Sequence, residues 1–266
     1  MFTKKNKRQG ALIDRIKYDG LSNEQMWIVY KYPNESFVLG SQLIVNQGQE
    51  ALFFKGGVAL DLFGPGTYTL QTGNLPLLNE FVSLPFGGDT PFTAEVYYVN
   101  KITKLNMNWG TATPFSIEDP KYEIILPIRA HGTYGLRIKD ARMFVNELIG
   151  AIPNGSTITY ENVARYFSGI LASKIKNVVS KYMIKRRISF LEITAYFEQI
   201  SNDCQEIVKD EFDRFGIEIL YFSIEAIAPP KEAYEKLQGY KEELSMGKEF
   251  YKQRRIFDTI QCSREK

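Results

Sequence analysis

An α+β fold follows from the order in which patterns occur along the chain. Up to about Ile138 the apolar runs are short, rich in Val, Ile, Phe and Tyr, and cut by turns. After Lys139 two long stretches repeat apolar residues at helical spacing. One isolated β-rich run, Ile217–Ile227, then precedes a charged tail. Strands first and helices after point to segregated rather than alternating elements.

The strands are read from their turns. Gln42–Val45 leads into Ala51–Lys55, and Gly56-Gly57 turns the chain back through Val58–Phe63. Gly64-Pro65-Gly66 makes a second turn before Thr67–Leu70. Adjacent glycines and Pro-Gly pairs supply the φ values that tight turns need. Ala94–Val99 and Tyr122–Ile138 read as further strands, and the Pro/Gly cluster over Pro85–Pro91 reads as a loop.

The helices are read from their starts and stripes. Asp140 is placed to cap a short helix through Leu148. Val163, Tyr166, Phe167, Ile170, Leu171, Ile175, Val178 and Tyr182 then recur at helical spacing. A second helix is expected from Ser189, with Ser189 and Glu192 as a capping box and Ile188 with Ile193 as the hydrophobic staple. Its stripe is Ile193, Phe197, Ile200, Cys204, Ile207 and Phe212, and Gly216 ends it. Pro229-Pro230 stops the late strand, and Lys231–Lys266 reads as a charged helix.

Bulk composition narrows the function classes. The 266 residues suffice for one large domain or two small ones. With 44% hydrophobic and 14% aromatic residues, a sizeable core is expected. A net charge of only +2 gives no global field that would draw nucleic acid. Cys204 and Cys262 are too few for a disulfide framework, so a reducing compartment fits. With His131 they are too few and too scattered for a zinc site, and no metal or cofactor is expected. No apolar run approaches the roughly 18 residues that span a bilayer. The basic start has no apolar core of a secretory signal, so a cytoplasmic protein is expected.

No motif carries catalysis, and no catalytic residue is assigned. No Gly-x-x-x-x-Gly-Lys-[Ser/Thr] loop exists, and Gly64-Pro65-Gly66 is a turn before a strand. A Ser–His–Asp triad would have to use His131, which sits in a strand-like stretch without a nucleophile elbow. Asp61, Asp119 and Glu95 read as turn or edge residues. Cys204 falls on an apolar helix stripe, where a core thiol is the default. The aromatics Phe53, Phe54, Phe63, Tyr68, Phe81, Phe86, Phe92, Tyr97 and Tyr98 are interleaved with apolar residues, which suits core packing better than base stacking.

Two segments have a physical case for contact with a partner. At the start, Lys4, Lys5, Lys7 and Arg8 precede Leu12, Ile13 and Ile16. Such a segment can lie on an anionic leaflet, each basic residue contributing about 1 kcal/mol. The alternative is a solvated tail. At the end, Leu237, Leu244 and Tyr251 keep a seven-residue period. Phe250, Phe257 and Ile260 form a second apolar group, while Gly239, Gly247 and Arg254 interrupt the other seam. Leu237, Leu244, Tyr251 and Phe257 are therefore the candidate contacts between copies.

Several stretches carry a family resemblance. Glu211-Phe212-Asp213-Arg214-Phe215-Gly216-Ile217-Glu218-Ile219, continuing to Ile227 and Pro229-Pro230, resembles the end of an SPFH (stomatin/prohibitin/flotillin, band-7) domain. Gly40–Val45, Asp61–Tyr68, Leu75–Leu78, Leu84–Gly88 and Val99–Lys101 resemble its bacterial "virion core protein-like" branch. The resemblance runs over about residues 14–257. It implies an SPFH fold with an N-terminal β-rich part, two long helices, a late strand and a charged helix. It divides the chain into a basic segment 1–26, an SPFH domain 27–229 and a helical extension 230–266. It further implies a non-enzymatic scaffold: a homo-oligomer, peripheral at the inner face of the cell membrane on an anionic surface, recruiting other SPFH or membrane-stress proteins. Nucleic acid is not among the implied partners. Members of this branch often carry a glycine-rich tail and a zinc ribbon, and this sequence shows neither before Lys266. A hydrolase without a recognisable motif, or a small-ligand-binding β domain, remains the alternative.

Overall fold

The computed structural model describes residues 14–20, 27–82, 91–149 and 153–264, with side chains described except at 81–82 and 248–264. The chain divides into two compact units: Met1–Met107 with Gly135–Phe167 and Val208–Tyr221, and Asn108–Tyr134 with Ser168–Ile207 and Phe222–Lys266. The family resemblance implies a single SPFH domain over 27–229. The boundaries fall within β10 (Lys104–Gly110), β12 (Ile125–Ile138), β14 (Ile217–Ala228) and the helices α3 (Tyr160–Ser180) and α4 (Phe197–Asp213), each of which gives residues to both units.

The first unit is built on an antiparallel sheet. Its order is β13 (Thr157–Thr159), β2 (Trp27–Lys31), β9 (Glu95–Asn100), β5 (Gln49–Lys55) and β6 (Val58–Phe63). The central strands β5 and β9 are buried almost throughout, so they read as continuous apolar runs rather than alternating ones. Gly56 and Gly57 both take positive φ at the β5–β6 turn, a conformation glycine adopts without steric cost. Beside this sheet, β4 (Gln42–Val45) pairs in parallel with β1 (Arg15–Lys17) and antiparallel with β7 (Gly66–Thr69). A third pair joins β3 (Ser36–Val38) to β8 (Pro91–Thr93).

The core of this unit gathers Ile16, Trp27, Phe37, Leu43, Phe53, Phe63, Leu78 and Tyr98. The Tyr98 hydroxyl donates to the Ile16 carbonyl at 2.8 Å, so the buried phenol is satisfied. Asp61 on β6 accepts from the backbone N–H groups of Leu77 (3.1 Å) and Leu78 (2.8 Å). It thereby caps α1 (Pro76–Val82) from another element. Asp140 caps α2 (Ala141–Phe144) by accepting from the Met143 N–H, as its position in sequence predicts.

In the second unit, β11 (Phe115–Glu118) pairs with the start of β12. The late strand β14 pairs with β12, which lies in the stretch up to Ile138 that reads as β in sequence. It ends before Pro229-Pro230, and α5 (Lys231–Arg264) follows. The helix expected from Ser189 begins instead as a 3-10 helix, Phe190–Tyr196, that leads into α4. Ser189 caps it as expected, its Oγ accepting from the Leu191 N–H at 3.3 Å, but Glu192 does not reach back to complete the capping box. Ser189 Oγ donates to the buried carboxylate of Asp119, and Glu192 pairs with Lys121. On α4 the buried stripe passes through Ile200, Cys204, Val208 and Phe212, while Ile207 lies outward. The four-residue step from Cys204 reaches Val208, which accounts for the shift.

Candidate assembly surface

The root of α5 is built by two prolines and one buried leucine. The Pro230 carbonyl accepts from the N–H groups of Ala233 (3.0 Å) and Tyr234 (3.1 Å), which starts the helix. Leu237 is fully buried against the second unit. From Gln238 through Met246 every side chain is exposed. The helix is 34 residues long, or about 50 Å at 1.5 Å per residue. Tyr240, Leu244 (49% exposed) and Met246 (63%) lie on this outer part. Tyr240 and Leu244 are four residues apart and so are neighbours on the helix surface.

Two clefts flank the root. One of about 390 Å³ separates the start of β12 from the first turns of α5 and is lined by Ile125, Pro230, Lys236 and Tyr240. Ile125 is 71% exposed there. The other, about 520 Å³, is lined by Phe190, Thr194, Ile227 and Tyr234. Apolar side chains standing beside open clefts at the foot of an exposed helix are suited to receive another protein surface.

The residues singled out from sequence fall in different places. Lys4, Lys5, Lys7, Arg8, Leu12 and Ile13 lie outside the described residues. Ile16 does not offer an apolar face: it is 0% exposed on β1, since its side chain belongs to the core formed with β4. Leu237 is likewise no contact between copies, because its own unit covers it. Leu244 is exposed and available. Tyr251 and Phe257 lie on α5, with side chains outside the described residues. Tyr240 and Met246 were missed in sequence. They fall between the positions of a seven-residue period, and the i, i+4 spacing of Tyr240 and Leu244 was the signal for them.

The candidate chemical groups are engaged in structure. Asp119 is fully buried. Its Oδ1 accepts from the N–H groups of Lys121 (2.9 Å) and Tyr122 (3.2 Å), and its Oδ2 from Ser189 Oγ (2.9 Å) and the Phe190 N–H (2.7 Å). Glu95 accepts from Lys31 Nζ at 2.8 Å. His131 is exposed on β12. Burial first, and the neighbouring Asp203 carboxylate second, push the Cys204 thiol up to about 12, so it stays neutral near pH 7. Among the described residues, no three His, Cys, Asp or Glu side chains converge as metal ligands, and no helix is long and apolar enough to cross a membrane.

Comparison with known proteins agrees with this architecture. The protein YdjI of Bacillus subtilis (strain 168), described as uncharacterized, is 23% identical over 215 residues. The match covers 79% of this chain, which spans about 63% of the length of YdjI. The family model for the SPFH domain-Band 7 family matches residues 27–246, across both units and into the exposed part of α5. With strands, long helices and a returning late strand in one α+β arrangement, the chain belongs to the SPFH/Band 7 family.

Proposed function

We propose that this protein is a non-enzymatic scaffold at the inner face of a bacterial membrane, that it self-assembles through the outer part of α5, and that it recruits partner proteins in a membrane-stress response. Family membership suggests a membrane-associated scaffold role. In this reading the residues that precede β1 supply a lipid-facing segment, β1 packs with the SPFH domain 27–229, and 230–266 is the assembly extension. Lys4, Lys5, Lys7 and Arg8 are the cations that meet anionic headgroups, with Leu12 and Ile13 behind them.

The observation that carries the reading is the exposure of α5 beyond Leu237. An isolated charged helix gains little from its own hydrogen bonds in water and is stabilised mainly by packing. Tyr240, Leu244 and Met246 give this stretch apolar side chains that its own unit leaves uncovered. A second copy, or a partner protein, covers them.

Solution mass across a concentration series tests this, with and without anionic liposomes. The parent chain is expected to assemble as concentration rises, and Leu244→Glu to shift assembly to at least tenfold higher concentration by placing a charge in the contact. A parent that stays monomeric at every concentration overturns the assembly role of α5.

A further inference from the structure

The C-terminal end of α3 carries four cations and one exposed aliphatic side chain within seven residues. After Ser180 the helix loosens into a π-type turn, Lys181–Lys185, and the helix then ends at Arg186 and Arg187. Tyr182 and Met183 are buried and hold this turn onto the second unit. Lys181, Ile184, Lys185, Arg186 and Arg187 all point outward, and Ile184 leaves 56% of its surface in water.

Helix-end electrostatics explain part of this arrangement. Unpaired carbonyls give a helix C-terminus partial negative charge, which suits Lys181 and Lys185. The same effect gives no reason for Ile184 to be outside. Nor does it explain Arg187, whose φ is 57°. That left-handed position after a helix is normally glycine or asparagine. An arginine there places a cation where backbone geometry prefers no side chain. Among the described residues, the carboxylate paired with this turn is Asp203, 3.7 Å from Lys181 Nζ. Arg186 lies over the Tyr182 ring at 4.1 Å. Lys185 and Arg187 face solvent, with no carboxylate paired to them among the described residues.

We propose that the Lys181–Arg187 turn is a docking site for an anionic lipid bilayer. Ile184 enters the boundary between headgroups and acyl chains. Lys185, Arg186 and Arg187 meet lipid phosphates and carboxylates, the arginines through paired N–H donors. The site rests on the membrane-associated reading and adds to it a lipid-facing element separate from the N-terminal segment. Bilayer is favoured over single-stranded nucleic acid by the aromatic content. Bases stack on exposed rings, whereas Tyr182 in this turn is buried and covered by Arg186.

Co-sedimentation of the full chain with vesicles tests the site. One set contains phosphatidylserine in phosphatidylcholine, and the other phosphatidylcholine alone. Each cation near an anionic surface is worth about fivefold in partitioning, so Lys185→Gln/Arg186→Gln/Arg187→Gln is expected to weaken binding to the anionic set about a hundredfold. Arg187→Gly is the second variant. It relieves the left-handed backbone, so it is expected to fold at least as stably as the parent while binding about fivefold more weakly. A parent that binds anionic vesicles as tightly as both variants overturns the turn as a lipid site and leaves the membrane reading standing on the N-terminal segment. A parent that binds neither vesicle set overturns both. Loss of binding to a single-stranded RNA oligonucleotide in the variants, with vesicle binding intact, also overturns the proposal.

Discussion

The 3-10 helix that begins at Phe190 and the helix that begins at Lys231 both start in the second unit, under opposite conditions. At Phe190 the exposed ends of the backbone are closed off by a buried carboxylate: Asp119 takes the Phe190 N–H and the Ser189 hydroxyl on one oxygen. At Lys231 the chain leaves through two prolines, one buried leucine follows, and every side chain from Gln238 to Met246 is in water. The first start is satisfied from within. The second has surface to spare. Stability is concentrated where polar groups are buried and bonded, and the capacity to meet another molecule lies where apolar groups are left open.

Replacing Asp119 should break the first start with the largest effect. Asp119→Ala removes four acceptor contacts from a site with no water exposure. It leaves the Ser189 O–H donor and backbone N–H groups without partners. A loss of about 3–5 kcal/mol is expected in urea denaturation. A loss below about 1 kcal/mol would show that the carboxylate does not hold this junction.

Leu237→Ala probes the boundary between the two conditions. It empties a fully buried site at the root of α5. A loss of about 2–4 kcal/mol is expected, measured at concentrations where the chain is monomeric. A near-neutral result would mean that the root of the helix is held elsewhere.

The difference between these regions was only partly legible in sequence. The β5–β6 hairpin, the Asp140 cap and the proline stop after β14 follow from local rules, because Gly56-Gly57, Asp140 and Pro229-Pro230 act within a few residues of themselves. Asp119 and Asp61 were read as turn or edge residues. Asp119 does make a turn with Lys121 and Tyr122, yet it also reaches Ser189 and Phe190, about 70 residues on, and sequence spacing carries no sign of that bond. The short strands β1, β3, β8 and β13 have three residues each, too few to show a period, and exist through their partners. Burial of Ile16 and Leu237 was hidden for the same reason. Both sit in amphipathic-looking segments whose apolar side is decided by what packs on it. The exposed turn at Ile184–Arg187 is continuous with a helical pattern, so only its backbone angle and exposure mark it.

Cys204 sharpens the comparison chemically, with a smaller effect. It lies on the buried stripe of α4, and burial raises its thiol from 9.0 to about 12. A proton held more tightly in the fold gives stability that is full below the unfolded value near 9 and is lost as pH rises from there through about 12. At pH 10 the loss is about 1 kcal/mol. Buried tyrosines such as Tyr98 and Tyr134 are shifted upward as well, so the relevant quantity is the difference between parent and Cys204→Ala. That difference should depend on pH above 9 and be flat below it. Equal pH dependence in the two proteins would mean that the thiol is solvated.

Leu244 has the smallest expected effect on folding and the sharpest bearing on function. It follows Leu237 by seven residues, and a seven-residue step returns to nearly the same face of an α-helix. In sequence the two leucines are equivalent members of one line. In structure Leu237 is 0% exposed and Leu244 is 49% exposed. Removing apolar surface that is already in water costs the monomer nothing, and glutamate is a good helix former. Leu244→Glu should therefore leave the urea midpoint of the monomer unchanged within about 0.5 kcal/mol. The same substitution should weaken assembly, because a contact between copies would have to bury the new carboxylate. The pairing of these two readouts decides what the outer helix does. If Leu244→Glu lowers monomer stability as Leu237→Ala does, the outer part of α5 packs on its own unit and is not an assembly surface. If stability and mass are both unchanged, Leu244 meets neither its own unit nor a second copy, and the contact must be sought at Tyr240 or Met246.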